Sequence, residues 1–289
     1  MGELLAVLAA LAFALGTVLQ QKGTLTTEAG EKDPGFLIEI LHKPVWLAGM
    51  VFQIVGWILQ AVALDRTSLV VTQSLVSLSL VIALPLGGWL TDQHIGRREL
   101  GGALLTLTGI ACFLSAGQPR GGTTHPGAAT WTIACAITLG LVLVAGAIGS
   151  RRAGAEKAIA LGVAAGLAFG LQAAVTKTFV TEIGGGVLAL LGTWSSYVLL
   201  VTALLGFGLQ QSALKTGVLA PAMASSNSVT LFTSVVLGSA VYGETIARSG
   251  GAHRGAAVVG LLVAVAGIVL LAGSTRPNPS DAAALGSST

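Results

Sequence analysis

The chain has 289 residues, 53% of them hydrophobic and 9% charged, with a mean hydropathy of +0.84; a soluble domain carries about 25% charged residues. That balance excludes a water-soluble globular fold and points to the lipid bilayer as a partner. The net charge of +3 comes from basic residues scattered singly or in pairs, which excludes the clustered basic footprint of a nucleic-acid binder.

Nine stretches without Lys, Arg, Asp or Glu run 18 residues or more: 4 to 21, 44 to 64, 67 to 91, 100 to 119, 121 to 150, 158 to 176, 183 to 214, 216 to 243 and 255 to 275. A helix rising about 1.5 Å per residue needs roughly 20 apolar residues to cross a hydrocarbon core of about 30 Å, so each reads as a transmembrane helix. The fold class expected is an all-α polytopic membrane protein of nine spans. The first stretch follows Met-Gly-Glu, lacks the cationic segment of a signal peptide, and reads as a retained span.

In the second stretch Gln53, Trp57 and Gln60 fall on one helix face, at spacings of four and three. The third contains Pro85, in Leu-Pro-Leu-Gly-Gly, as a candidate helix break or kink. The fourth holds Gly102 and Gly109 seven residues apart on one face, a spacing that the ninth repeats with Gly260 and Gly267. Small residues let helix backbones approach closely, so these stripes read as helix packing, within a copy, between copies or in a homodimer. Cys112 and Cys135 lie in apolar runs without metal-ligand companions and read as small core residues.

The sixth stretch places Gln172 one turn from Thr176, with Lys177 at its end. The eighth carries Pro221, a second candidate break, and then Ser225-Ser226-Asn227-Ser228 near mid-depth. Buried amides and hydroxyls cost free energy in hydrocarbon unless paired or hydrated. Gln53, Trp57, Gln60, Gln172, Thr176, Ser225, Ser226 and Asn227 are therefore the candidate substrate-binding residues of a polar cavity. The bland reading of the same side chains is interhelical hydrogen bonding, worth about 0.6 to 2 kcal/mol each. No catalytic arrangement, metal site or cofactor motif is visible: His42, His94, His125 and His253 lie in loops or at span ends, and the glycines at 184 to 186 precede no Lys-Ser/Thr. The chain is not read as an enzyme.

The sequence also repeats itself. Leu11-Ala-Phe-Ala-Leu recurs as Leu167-Ala-Phe-Gly-Leu, each followed by Gln and then by Lys22 or Lys177. Leu59-Gln60, Ala63-Leu64 and Leu69 recur 150 residues on, and Gly102 and Gly109-Ile110 recur 158 residues on. The order and near-constant offset indicate duplication: residues 1–150 as a five-span copy, 151–273 as a four-span copy, and 274–289 as a disordered cytoplasmic tail. Five spans is an odd number, so the second copy is inverted, the plan of many secondary transporters. Ten of the fifteen Lys and Arg fall on one side of the nine spans. The positive-inside rule makes that side cytoplasmic, with the N-terminus outside and the C-terminus inside a cell membrane.

Leu15-Gly16-Thr17-Val18-Leu19-Gln20-Gln21-Lys22-Gly23, Trp46-Leu47-Ala48-Gly49, Ser68-Leu69-Val70-Val71 and Gly217-Val218-Leu219-Ala220-Pro221 resemble the drug/metabolite transporter (EamA-like) superfamily. Within it the chain is most similar to the NIPA-type magnesium transporters. The resemblance implies the nine-span inverted-repeat fold and transport by alternating access. Magnesium-type members carry an acidic residue and, three positions on, an Asn in the second span; Trp57 and Gln60 stand at the matching positions here. Because Mg²⁺ is normally held through carboxylates, the expected cargo is a small, neutral or weakly charged organic solute. Alternatives are a divalent cation, a lipid head group, or a non-transporting membrane scaffold. No span contains an Asp, Glu or His to carry a proton, so facilitated or exchange transport is expected, or coupling through Lys22 and Lys177 at span ends.

Overall fold

The computed structural model describes residues 1–25, 42–91, 97–120, 122–123, 125–182, 192–214, 216, 219–246 and 251–272. His94, the glycines at 184 to 186, Gly217-Val218 and the tail from 274 lie outside the described residues. Ten helices account for nearly all the rest: α1 (Gly2–Leu25), α2 (Pro44–Arg66), α3 (Leu69–Val76), α4 (Ser79–Thr91), α5 (Arg97–Gly117), α6 (Ala128–Ser150), α7 (Gly154–Glu182), α8 (Trp194–Leu214), α9 (Leu219–Ala240) and α10 (Gly251–Ala272). Two dipeptides, β1 (Pro119–Arg120) and β2 (Thr245–Ile246), pair antiparallel, with Pro119 opposite Ile246 and Arg120 opposite Thr245.

Among the described residues, seven segments are long and apolar enough to cross a membrane: Gly2–Gln20, Pro44–Arg66, Leu69–Leu90, Leu100–Gly117, Ala128–Ser150, Gly154–Glu182 and Ala252–Leu270. The fold is all-α and polytopic. In α8 the apolar stretch Trp194–Gln210 is shorter, and the first half of α9 is diluted by its serines and Asn227.

The helix ends follow from local chemistry. Pro44 occupies the first turn of α2, where a missing N–H costs nothing. Ser68 caps α3, its hydroxyl accepting from Val71 N at 3.1 Å. The third apolar run is not one helix. It is interrupted at Ser77–Leu78, where Ser74 Oγ donates to Val70 O, Ser77 Oγ donates to Ser74 O, and Leu78 N reaches back only to Leu75 O. Serine hydroxyls bonding back onto the preceding turn compete with the backbone ladder and bend a helix. The break thus lies well before Pro85, which sits inside α4. Pro221 does not break its helix either: it falls in the first turn of α9, where proline is tolerated.

The center of the bundle is α7, with 72% of its apolar window buried against 17% for the more apolar α6. It packs against α6, α8, α9 and α2. Gly162, Gly166 and Gly170 give it a flat face: a β-carbon on Gly166 would lie 2.5 Å from Ser226 O, and one on Gly170 2.5 Å from Thr233 Cβ. Two other seams depend on glycine. The Phe13 ring of α1 covers Gly56 of α2, and the Phe169 ring of α7 covers Gly206 of α8. On the far side α5 runs antiparallel to α10, with Gly267 against Gly102 O and Thr106, and Gly260 against Gly109 O and Phe113 N.

Candidate functional site

Among the described residues, the most heavily buried charge is a carboxylate beside the start of α3. Glu244 follows α9, and its side chain is 0% exposed. Its Oε1 accepts from Leu69 N at 2.6 Å and its Oε2 from Val70 N at 2.9 Å, so the carboxylate caps the first turn of α3. Lys177 of α7 approaches Oε1 to 2.6 Å and is itself only 12% exposed. Two oriented N–H groups at a helix N-terminus and an ammonium supply the donors and positive charge that a buried carboxylate requires. The Glu244 backbone N donates to Gly238 O at 3.0 Å, holding the turn after α9.

Aromatic side chains surround this pair. The Tyr242 ring lies 4.7 Å from Lys177 Nζ, close enough for a cation–π contact. Its hydroxyl donates to Ala174 O at 2.6 Å and meets Thr178 Oγ1 at 2.8 Å. Trp131 stands edge-on to Tyr242 with ring centers 5.9 Å apart, and Trp194 packs on Trp131 at 5.0 Å. Beside them a small cavity of about 100 Å³ is lined by His125, Pro126, Trp131, Thr178, Thr181, Glu182 and Trp194. Glu182, on its wall, accepts at Oε2 from Ser195 Oγ.

A lid of backbone closes the site. The β1–β2 pairing ties the α5–α6 connection to the segment carrying Glu244, and Thr123 N donates to Tyr242 O at 2.7 Å. Gly122, at φ +107°, lies so close that a β-carbon would come within 3.1 Å of Glu244 Cγ. Glycine tolerates both that conformation and that approach.

Below the carboxylate, α3 and α9 run side by side in opposite directions: Gly238 faces Val70 as well as Glu244. Among the described residues, Thr72 Oγ1 and Gln73 Nε2 of α3, Ser228 Oγ and Ser234 Oγ of α9, and Trp131 Nε1 are buried with no hydrogen-bond partner. Such orphaned groups are uncommon in a closed core. They mark a polar interior along these two helices.

The residues singled out from sequence fall in separate seams. Gln53 Nε2 donates to Thr17 Oγ1 at 3.2 Å, between α2 and α1. Trp57 is 45% exposed, Gln60 is half-buried, and Gln172 is buried in α7. Thr176 Oγ1 donates to Gln172 O at 2.8 Å, and Ser225 Oγ to Ala222 O at 3.1 Å, each within its own helix. Ser226 Oγ donates to Gln210 Oε1 at 2.8 Å, and Gln210 Nε2 points at Met223 Sδ at 3.2 Å, joining α9 to α8. Asn227 is half-buried.

The expectation that no span contains an Asp or Glu is corrected by α7, whose candidate membrane-spanning segment runs to Glu182; Glu244 lies after α9, one residue beyond an apolar run, yet its side chain is fully enclosed. Lys177 likewise ends an apolar run but is inside α7, which continues to Glu182. The available signal was the single acidic residue in Tyr242-Gly243-Glu244-Thr245, set directly against an apolar stretch.

The fold defines a multi-pass α-helical membrane protein that encloses a Lys–Glu ion pair at the start of one span. The chain is 33% identical over 255 residues to uncharacterized protein Cgl0250/cg0304 of Corynebacterium glutamicum, covering 84% of this chain and 86% of that relative. It belongs to the family of that corynebacterial protein. No family model and no solved structure matches the chain.

Proposed function

We propose that this protein is a secondary transporter of the drug/metabolite type, moving a small organic solute across the cell membrane by alternating access. The observation that carries the reading is the Lys177–Glu244 pair locked onto the N-terminus of α3, half of an interrupted helix. Charged side chains inside a membrane protein are costly and mark substrate or ion pathways. The same span is interrupted further in, at Ser77–Leu78, the kind of helix break that transporters place near mid-depth. The unpartnered polar groups of α3 and α9 supply a hydratable route leading inward from the pair.

An inverted repeat of five and four spans accounts for the helix contacts. The Phe13–Gly56 and Phe169–Gly206 contacts occupy matching places in the two copies. On the α5–α10 seam, Gly102 corresponds to Gly260 and Gly109 to Gly267. Exchanging the copies turns the Gly102–Gly267 contact into the Gly260–Gly109 contact, as a two-fold axis in the membrane plane demands. With the positive-inside orientation, Glu244, Lys177, Tyr242 and the β1–β2 bridge lie at the outer end, so this conformation is closed to the outside.

Purified full-length protein in liposomes, tested with a panel of organic solutes beside Mg²⁺, checks the proposal. Saturable uptake of at least one organic solute, lost in Glu244→Gln, is expected. Uptake of Mg²⁺ alone would favor the divalent-cation reading, and no uptake of any solute would count against transport.

A further inference from the structure

We infer that a groove on the lipid-facing flank of the bundle is a binding site for an uncharged amphiphile, an apolar body carrying a hydrogen-bond acceptor, taken up sideways from the bilayer. Helices α6 and α9 both pack on α7. Between the N-terminal half of α6 and the C-terminal half of α9 they leave a groove of about 360 Å³, lined on its α7 side by Leu167. Ile133, Ile137 and Phe232 line it as well and are each more than half exposed. Because α6 is long and apolar enough to span, the medium at that opening is hydrocarbon. That such an occupant is the cargo rests on the transport reading; the binding rests on the groove alone.

Two threonines distinguish this groove from an ordinary furrow between helices. Thr138 of α6 and Thr233 of α9 line it and are 5% and 6% exposed, and among the described residues neither hydroxyl has a hydrogen-bond partner. Other threonines of the same helices behave differently: Thr132 Oγ1 donates to Ala128 O at 2.9 Å, and Thr230 Oγ1 to Ser226 O at 2.8 Å. Nor are the two hydroxyls sealed in the core, as those of Thr72 and Ser234 are. Thr233 sets its methyl toward α7, where a β-carbon on Gly170 would lie 2.7 Å from Cγ2. The little surface that each threonine retains lies on the groove it lines.

The chemistry of the occupant follows by elimination. An unbonded hydroxyl in hydrocarbon costs free energy, and a plain acyl chain would leave both unbonded. An ordered water needs about two to four polar partners, whereas one placed here would face hydrocarbon on its open side. A charged group would find no counter-charge, since no ionizable side chain lines the groove, and an unpaired charge costs far more than a neutral dipole. A neutral oxygen acceptor on an apolar body satisfies the hydroxyls and the walls together. An engineered apolar cavity of about 150 Å³ admits benzene, so the volume here has room for a body of about two rings.

Benzophenone has that composition, two phenyl rings and one ketone, and reports its own position. Under near-ultraviolet light its ketone takes a hydrogen atom from a neighboring C–H, and the two carbon radicals join to leave a tertiary alcohol cross-link. Full-length protein in detergent is titrated with benzophenone, irradiated, digested and read by peptide mass spectrometry. Saturable labeling of α6 and α9 at the groove is expected. Dicyclohexyl ketone should compete for it, and dicyclohexylmethane, the same body without the oxygen, should compete far less. In Thr138→Val/Thr233→Val the half-saturating concentration should rise roughly tenfold; Thr138→Ser/Thr233→Ser, which keeps both hydroxyls, and Thr132→Val should match the wild type. Labeling that never saturates and follows exposed apolar surface, reaching Leu204 and Phe207 of α8 as readily, would overturn the inference. Equal competition by the ketone and the hydrocarbon would do the same, and that comparison needs only the wild-type protein. None of these readouts involves transport, which the liposome panel tests separately.

Discussion

Replacing Lys177 by Met leaves the Glu244 carboxylate enclosed with only the α3 N–H groups for partners, and replacing Glu244 by Gln leaves the ammonium enclosed without its counter-charge. Breaking a buried pair from one side costs about 3 to 5 kcal/mol, so either variant is expected to show a sharply lowered unfolding temperature. Lys177→Met/Glu244→Gln should recover much of the loss, because no net charge stays buried and the Gln carbonyl still accepts from α3. Lys177→Met/Glu244→Leu should recover less, because Leu69 N and Val70 N lose their acceptor. Unfolding of all four variants at the wild-type temperature would show that the pair contributes nothing. The chemistry here was only half legible in the sequence. Glu244 bonds to residues 175 and 67 positions away, and a lone acid at the end of an apolar run reads like any loop residue until the chain is closed over it. Gln53 and Ser226 could be recognized as polar groups within apolar runs, but their partners Thr17 and Gln210 lie on other helices and no periodicity names them.

At the scale of helices, close packing is set by the glycine face of α7. Gly166→Val would drive a side chain into the α9 backbone at Ser226 and Thr230; overpacking of this kind costs about 1 to 3 kcal/mol or more. Gly208, with nothing within 4 Å of a β-carbon, should accept Ala with a gain of up to about 1 kcal/mol in helix propensity. Thermal unfolding of the two variants distinguishes these directions, and a Gly166→Val protein as stable as Gly208→Ala would contradict the packing described. The apolar runs located the helices well because exclusion of charge from hydrocarbon is a strong local rule. They overshot at residues 121–127, where Gly122, Pro126 and Gly127 delay α6 to Ala128. They also concealed the interruption at Ser77–Leu78, since a serine that bonds back onto its own turn is as uncharged as one that does not.

For the whole molecule, the account requires that the outer end open and close. The β bridge offers a direct way to forbid that, because its register sets Arg120 opposite Thr245, and Cα atoms of such antiparallel pairs lie about 4.5 to 5.5 Å apart, within disulfide range. Arg120→Cys/Thr245→Cys, on a background with Cys112 and Cys135 replaced, would tie the lid shut. The decisive measurement is liposome uptake of the solute found in the panel by this protein, oxidized and then reduced with a membrane-impermeant thiol. Transport absent in the oxidized protein and restored on reduction is the result expected; undiminished transport through the cross-linked protein would contradict the claim that Lys177, Glu244 and their lid gate the pathway.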